Sequence, residues 1–464
     1  MQVANSFRAR CALAAASGAA YSLAFPPLGW GWLAIPGLAG LILVLQGQHG
    51  TRARALGFLH GMAAYGIGLS WMFEIFGFFV VVLWFVLAAF HALFAEMQSR
   101  AVIRGLGGWA LAAFTAANWA GWEFIRAELF PLKFPWMTAG LAMGPNALLP
   151  WIGVYAAGSL LVFVTALACG RLWKPAVLLG CGLIASVVFF RKLPVPSADD
   201  PQTVKVGGVQ LESVTLEDYI KHTRTLPDDV SFVVWPEYAI PYDIRKNARD
   251  WKLAGNLCAE RNITLTFGTQ EVNGENGWRN IALTMNANGV RGIHNKVHTV
   301  HFFDDGIPGI TADVIETDHG KIGTPICFDC DYEGIVRRMT VSGAQLFMVP
   351  VMDAISWTRR QHDQHAELFR IRAAENGRWM FVCATSGVSM AIDPHGHLHG
   401  RLGALEQGTL VASVKREKRI TGYTRFGWLA PWMILGVAAL GWLKLLLPVK
   451  KKAGGAANDA NIPC

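Results

Sequence analysis

A carboxylate, an ammonium and a thiol stand in three stretches of similar design: Phe232-Val-Val-Trp-Pro-Glu237, His294-Asn-Lys296 and Gly323-Thr-Pro-Ile-Cys327-Phe-Asp329. Each reactive side chain follows, or ends, an apolar run that reads as a strand, and strand ends are where a rigid sheet presents groups to a cleft. A cysteine attacks an acyl carbon as its thiolate, so it needs a base or a cationic neighbour. Glu237 has the chemistry to take the proton. Lys296, kept charged nearby, would stabilise the thiolate and then a tetrahedral oxyanion, helped by the backbone N–H of Phe328. Each has a plainer reading taken singly, as a solvated turn carboxylate, a surface lysine and a small core residue. Their joint order favours acyl transfer through a thioester.

The elements that must position these residues divide the chain unevenly. It is 53% hydrophobic and only 16% charged, with a mean hydropathy of +0.32, more apolar than a soluble protein of this length requires. Residues 11–190 and 427–448 hold the long uncharged runs, whereas 200–420 has ordinary globular composition. Eight candidate spans are expected, at roughly 11–26, 28–46, 55–75, 78–98, 107–125, 147–169, 175–191 and 427–447. The domain plan is therefore a seven-span membrane block over 1–195, a soluble domain over 200–418, a last span within 424–448 and a cytoplasmic tail over 449–464. The soluble part alternates β-rich runs (204–210, 231–235, 264–268, 281–285, 322–327, 346–349, 379–384 and 388–392) with helical stretches such as 361–378, an α/β pattern of helices layered on sheet.

The net charge of +8 could suggest nucleic acid, but the basic residues of the membrane block fall in short loops, and the soluble part lacks the basic and aromatic interleaving that stacks bases. Arg8 and Arg10, Arg52 and Arg54, Arg100 and Arg104, Arg171 and Lys174, and Lys450 to Lys452 make every second loop basic. With an even number of spans both termini are expected in the cytoplasm and the soluble domain outside, which in a bacterium is the periplasmic face of the inner membrane. The eight cysteines form no disulfide framework. Arg8 and Arg10 before an apolar run look like a signal peptide, but no cleavage site leads into soluble sequence, so this is expected to be a retained span.

The order and local contexts of Glu237, Lys296 and Cys327 resemble those of the nitrilase (carbon–nitrogen hydrolase) superfamily. Together with the membrane block they resemble the apolipoprotein N-acyltransferase family, which inserts such a domain before a last span. Ala24-Phe-Pro-Pro27, Trp122-Glu-Phe-Ile-Arg126, Phe134-Pro-Trp136, Arg370-Ile-Arg-Ala-Ala-Glu375-Asn-Gly-Arg378 and Thr421-Gly-Tyr-Thr-Arg-Phe-Gly427 match that family as well. The resemblance implies an α-β-β-α sandwich beside a multi-span α-helical block. It also implies a two-step reaction without a cofactor or metal: Cys327 takes a fatty acyl chain from a phospholipid and passes it to the amino group of a diacylated lipoprotein.

Within the resemblance, Asp304 in His301-Phe-Phe-Asp304-Asp305 stands in for a supporting family glutamate, and Asp329 takes the place of the glutamate after the cysteine. Trp136, Trp235 and Trp357 are the expected substrate contacts. Trp136, Trp428 and Trp432 also suit the bilayer interface. The family's Asn-Asp-Ala-Trp-Phe-Gly loop is altered here to Val351-Met-Asp-Ala-Ile-Ser-Trp357, which keeps open a membrane-tethered amidase that uses water as acceptor. A non-enzymatic protein that kept the fold is the third alternative.

Cys327 and Cys330 form a C-x-x-C, whose redox reading is weaker than the nitrilase context, although an oxidising compartment could bridge them. His395, His397 and His399 could share a strand face and hold zinc, but Asp393-Pro-His-Gly reads as a solvated turn.

Overall fold

The computed structural model describes residues 6–272 and 277–448, so the expected tail at 449–464, with Lys450 to Lys452, lies outside the described residues. In the soluble part, strands β1 (Thr203–Gln210), β2 (Phe232–Val234), β3 (Thr264–Val272), β4 (Trp278–Asn286), β5 (Gly289–Asn295), β6 (Val314–Thr317), β7 (Gly320–Gly323), β8 (Leu346–Val351), β9 (Met380–Ala384), β10 (Ser389–Ile392), β11 (Leu398–Leu402) and β12 (Gly408–Lys415) build two six-stranded sheets. Their orders are β12-β1-β2-β3-β4-β5 and β11-β10-β9-β8-β7-β6. In each sheet the central strands run parallel and the outer ones antiparallel.

Alternation along β2 decides how the layers stack. Phe232 and Val234 point into the space between the sheets, where they meet Ile322, Met348 and Phe381. Val233 and Trp235 point the other way, onto the helices Leu216–Arg224 and Ala248–Arg261. The second sheet is covered by Gly334–Val341 and Arg359–Asn376. The result is the α-β-β-α sandwich that the family resemblance implies. The covering helices start and stop on local signals: Thr215 makes a capping box with Asp218, Thr358 caps the helix Arg359–Asn376, and Gly377 ends it in the left-handed region at φ +61°.

Three helical segments, Met72–Ile103, Leu149–Cys169 and Gly427–Leu446, are long and apolar enough by length and composition to cross a membrane, and Gly31–Val44 and Trp173–Val188 are shorter apolar helices. Helices Phe7–Ser22, Gly50–Gly68 and Gly108–Phe124 occupy the other expected spans. Large side chains on the outer helices face outward, among them Leu178 (74% exposed), Ile184 (65%) and Leu440 (65%). Water would not tolerate such an apolar surface, whereas lipid covers it at no cost.

The two parts lock together through buried polar contacts. Leu149–Cys169 is kinked at Gly153, whose φ is +72°. The Tyr423 ring packs so closely there that a Cβ would lie 2.6 Å from it. Just beyond the kink, the Val154 N–H donates to Glu375 of the helix Arg359–Asn376 at 2.8 Å, and Glu375 pairs with buried Arg372 at 3.0 Å. Removing one member of such a buried pair costs about 3–5 kcal/mol, because the other charge is left alone.

Candidate active site

Past the end of β2, the chain stays tied to β3, with the Trp235 N–H on Thr266 O and the Gly268 N–H on Pro236 O. Tyr238 then turns the backbone at φ +54°. That turn aims Glu237 inward, 1% exposed. Its Oε1 accepts from Lys296 Nζ at 2.7 Å and from Asn280 Nδ2 at 2.7 Å, and its Oε2 accepts from the Met352 N–H at 2.9 Å. Lys296, just beyond β5, also pairs with Asp305 at 2.7 Å. Asp305 in turn accepts from the Tyr238 hydroxyl and from the Val300 N–H.

Cys327 opens the short helix Cys327–Cys330 at φ +47°, a strained setting for a side chain. Its thiol is directed at Met352 O, 3.8 Å away. The Met352 peptide therefore touches both members, its N–H on Glu237 and its carbonyl facing the sulfur. Asp329 braces the turn from below: its carboxylate accepts from the N–H groups of Ile326, Val297 and His298 and pairs with His294. Phe328 lies in the first turn of this short helix, where N–H groups lack intrahelical partners. The Lys296 ammonium sits over the Phe328 ring, 6.0 Å from its centre.

Burial sets the electrostatics. It pushes the Cys327 thiol well above its ordinary pKa; Glu237 adds to the rise and Lys296 opposes it. Burial likewise raises the Glu237 carboxyl, with Lys296 opposing and Asp305 adding. For Lys296, burial works against the charge, but Glu237, Cys327 and Asp305 outweigh it and hold the ammonium's pKa well above the lysine norm. The resting site thus combines a protonated thiol, a lasting ammonium and a carboxyl tuned upward, toward the range of a working base.

An apolar chamber abuts the site, between the membrane helices and the catalytic sandwich. Trp71, Phe76, Leu83, Phe134, Trp136, Phe302, Phe328 and Trp357 line it. Trp136 is held by Arg126, which donates to the carbonyls of Phe134 (2.7 Å) and Trp136 (3.0 Å) from a π-helical turn, Ile125–Leu129.

Glu237, Lys296 and Cys327 are brought together, with Phe328 and Asp329 against them, and Trp136 and Trp357 reach the adjoining chamber. Several expectations need correction. Asp304 is exposed, and its neighbour Asp305 enters the site, because the loop after Val300 turns the first carboxylate to solvent. Trp235 is core: it stacks on Tyr219 and donates to Thr223, since strand alternation sends it to the helix side. Trp136 is buried, 3% exposed, beneath the catalytic domain instead of at an interface.

The strand expected over 322–327 stops at Gly323, so Cys327 sits on a helical turn. The histidine turn is not solvated: Asp393 is buried, and His395 stacks on Phe190. Cys327 and Cys330 are free thiols. Among the described residues, no group of three or more His, Cys, Asp or Glu side chains is placed to hold a metal. Sequence reasoning missed Asn280 and the Met352 peptide. An Asn at the head of the apolar run of β4, just before Ile281, was the available sign of the first.

Two family descriptions match the chain: "Apolipoprotein N-acyltransferase N-terminal domain" over residues 17–167 and "Carbon-nitrogen hydrolase" over 212–421. Among similar proteins, the apolipoprotein N-acyltransferase of Geobacter metallireducens is 26% identical, covering 92% of this chain and 94% of its own length. That of Mycolicibacterium smegmatis is 28% identical, covering 93% of this chain and 85% of its own length. Saccharomyces cerevisiae Nit3, a solved member of the nitrilase superfamily, is 22% identical with a TM-score of 0.42, covering 47% of this chain and 93% of its own.

Proposed function

The chain belongs to the apolipoprotein N-acyltransferase family, a membrane enzyme acting on phospholipid and lipoprotein, and from that premise we propose that Glu237, Lys296 and Cys327 carry its acyl transfer. The observation that carries this assignment is the buried Glu237–Lys296 pair, joined through the Met352 peptide to the Cys327 sulfur beside a chamber open to the membrane block.

In the first half-reaction the Cys327 proton passes to Glu237 as the sulfur attacks the phospholipid ester carbonyl. The developing oxyanion is stabilised by the Lys296 ammonium and the Phe328 N–H. The ester C–O bond breaks, and the lysophospholipid leaves with the proton returned by Glu237. In the second, the lipoprotein amine attacks the thioester and gives up a proton to Glu237. The C–N bond forms, the C–S bond breaks and Cys327 regains its proton. Asp305 keeps Lys296 charged throughout, and Asp329 holds the turn that carries the sulfur. Trp136 and Trp357 border the space for the acyl chain, whose burial stabilises the complex by about 0.8 kcal/mol per methylene.

The water-accepting amidase is less well supported, since relatives matching both the membrane and catalytic regions are named acyltransferases. Mass spectrometry decides between them. Wild-type protein mixed with phospholipid is expected to gain an acyl mass on Cys327, absent in Cys327→Ser, that clears when a diacylated lipoprotein amino terminus is added. Clearance at the same rate in buffer alone would leave the amidase standing.

The location proposed is a bacterial inner membrane, with eight spans, both termini cytoplasmic and the catalytic domain periplasmic. The alternating basic loops support that orientation.

A further inference from the structure

The catalytic assignment leaves one buried cluster unused. His365, fully buried on the helix Arg359–Asn376, lies between two carboxylates: its Nδ1 is 2.9 Å from Asp353 and its Nε2 3.1 Å from Asp331. Asp331 takes a hydrogen bond from the Trp136 indole N–H at 2.8 Å, and the Trp136 ring stacks on the imidazole with centres 5.7 Å apart and planes 17° apart. On the other side, Asp353 accepts from Gln361 at 2.9 Å. Asp353 directly follows Met352, whose peptide bonds Glu237 and faces Cys327.

We propose that His365 is a positioning residue for the acyl transfer, coupling the membrane loop that carries Trp136 to the Met352–Asp353 segment that orients Glu237 and Cys327. This deepens the catalytic assignment above and rests on it. A histidine suits the task because, when charged, its Nδ1 hydrogen-bonds Asp353 while the ring's charge offsets that of Asp331, 3.1 Å from Nε2 on the opposite side. The neighbouring carboxylates raise its pKa to about 10 against the cost of burial, so it is charged at neutral pH. Its charge also offsets that of Asp353, which otherwise makes the Cys327 thiol harder to ionise. The other titratable groups that interact with Asp353 are the Cys327 thiol and His362 on the same helix as His365, whose Nε2 lies 3.1 Å from Ala354 O.

The test uses full-length enzyme in phospholipid mixed micelles with two readouts: the single-turnover rate of acyl-Cys327 formation and the pH profile of Cys327 alkylation by iodoacetamide. His365→Gln is expected to slow acylation by about tenfold or more and to move the alkylation profile to higher pH. His365→Gln combined with Asp353→Asn, which removes the uncompensated charge, is expected to bring the profile back toward wild type. A His365→Gln rate close to wild type overturns the proposal, and so does a slower rate with an unmoved profile, since a merely structural role predicts that pattern.

Should His365→Gln fail to fold, Trp136→Phe decides. It keeps the stack but lacks the indole N–H; because Trp136 also borders the acyl chamber, the alkylation profile is the deciding readout, and a shift to higher pH supports the coupling whereas an unmoved profile overturns it. If wild-type enzyme never acylates Cys327, the catalytic assignment itself fails, a result distinct from all of these.

Discussion

Two carboxylates share the Lys296 ammonium, and their competition tunes the base. Under the proposed assignment Glu237 must be ionised to accept the Cys327 proton, so activity is expected to fall as pH drops through its pKa. Burial and the Asp305 charge hold that pKa above the ordinary carboxylate value, with Lys296 opposing. In Asp305→Asn one raising influence is gone and Lys296 serves Glu237 alone, so both changes lower the pKa. The acid limb of the rate profile is therefore expected to move to lower pH, while the plateau rate falls by roughly tenfold because the ammonium loses a partner that places it. A pH series of acyl-Cys327 formation checks this; an acid limb that stays put or moves upward is the contrary result. Residue chemistry made Glu237 and Cys327 legible in the sequence, since each follows an apolar run with little else to explain it, and Lys296 was legible through its place in their joint order. Asp305 was not distinguishable from Asp304, because a loop has no periodicity to say which of two adjacent carboxylates turns inward.

At the scale of elements, β3 sets the depth of the base. A Cβ added at Gly268 would lie 2.4 Å from Glu237 Cα and 2.5 Å from Tyr238 N. Both are backbone atoms, so the turn carrying the base must move by on the order of an ångström to accept an alanine, and a misplacement of that size costs about a hundredfold in rate. Gly268→Ala is expected to lose about that much activity along with about 1–3 kcal/mol of stability from overpacking. Gly255→Ala, in the middle of the helix Ala248–Arg261 where an added Cβ meets nothing within 4 Å, serves as the comparison and should match or slightly exceed wild-type stability. Equal rates for the two variants would show that the close approach does not set the base. The strongly apolar central strands were readable from composition, as was the helix over 361–378. β5, β6, β11 and β12 were not: they are short or half-exposed edge and near-edge strands, whose mixed sequences, such as Leu398-His-Gly-Arg-Leu402, carry no buried run. Trp235 was misread for a related reason. Its size suggested a substrate contact, and only the register of β2 shows that it faces the covering helices.

At the scale of the whole molecule, Arg10, Arg54, Arg100 and Arg104 gather at one end of the helical block. Arg10 donates to the carbonyls of Val44 and Gln46. Glu96 pairs with Arg54 at 3.3 Å and Arg100 at 2.7 Å, and Arg104 reaches the carbonyls of Leu445 and Leu447 where the last helix ends. The opposite helix ends meet the catalytic domain instead: Gln364 donates to the carbonyls of Pro26 and Gly68, and Arg360 to that of Ile67. A basic side chain carried to the bilayer centre costs about 2.5–3.5 kcal/mol, and the basic end stays with the cytoplasm. On the proposed orientation the catalytic domain would lie on the far side, with its chamber at the outer leaflet. In a bacterial host, green fluorescent protein fused after residue 448 is expected to fluoresce, because it folds in the cytoplasm. Alkaline phosphatase fused after residue 196, at the entry to the catalytic domain, is expected to be active, because it matures only outside. The reverse pair of results would put Cys327 on the cytoplasmic side and overturn the proposed orientation, whatever the chemistry of the site.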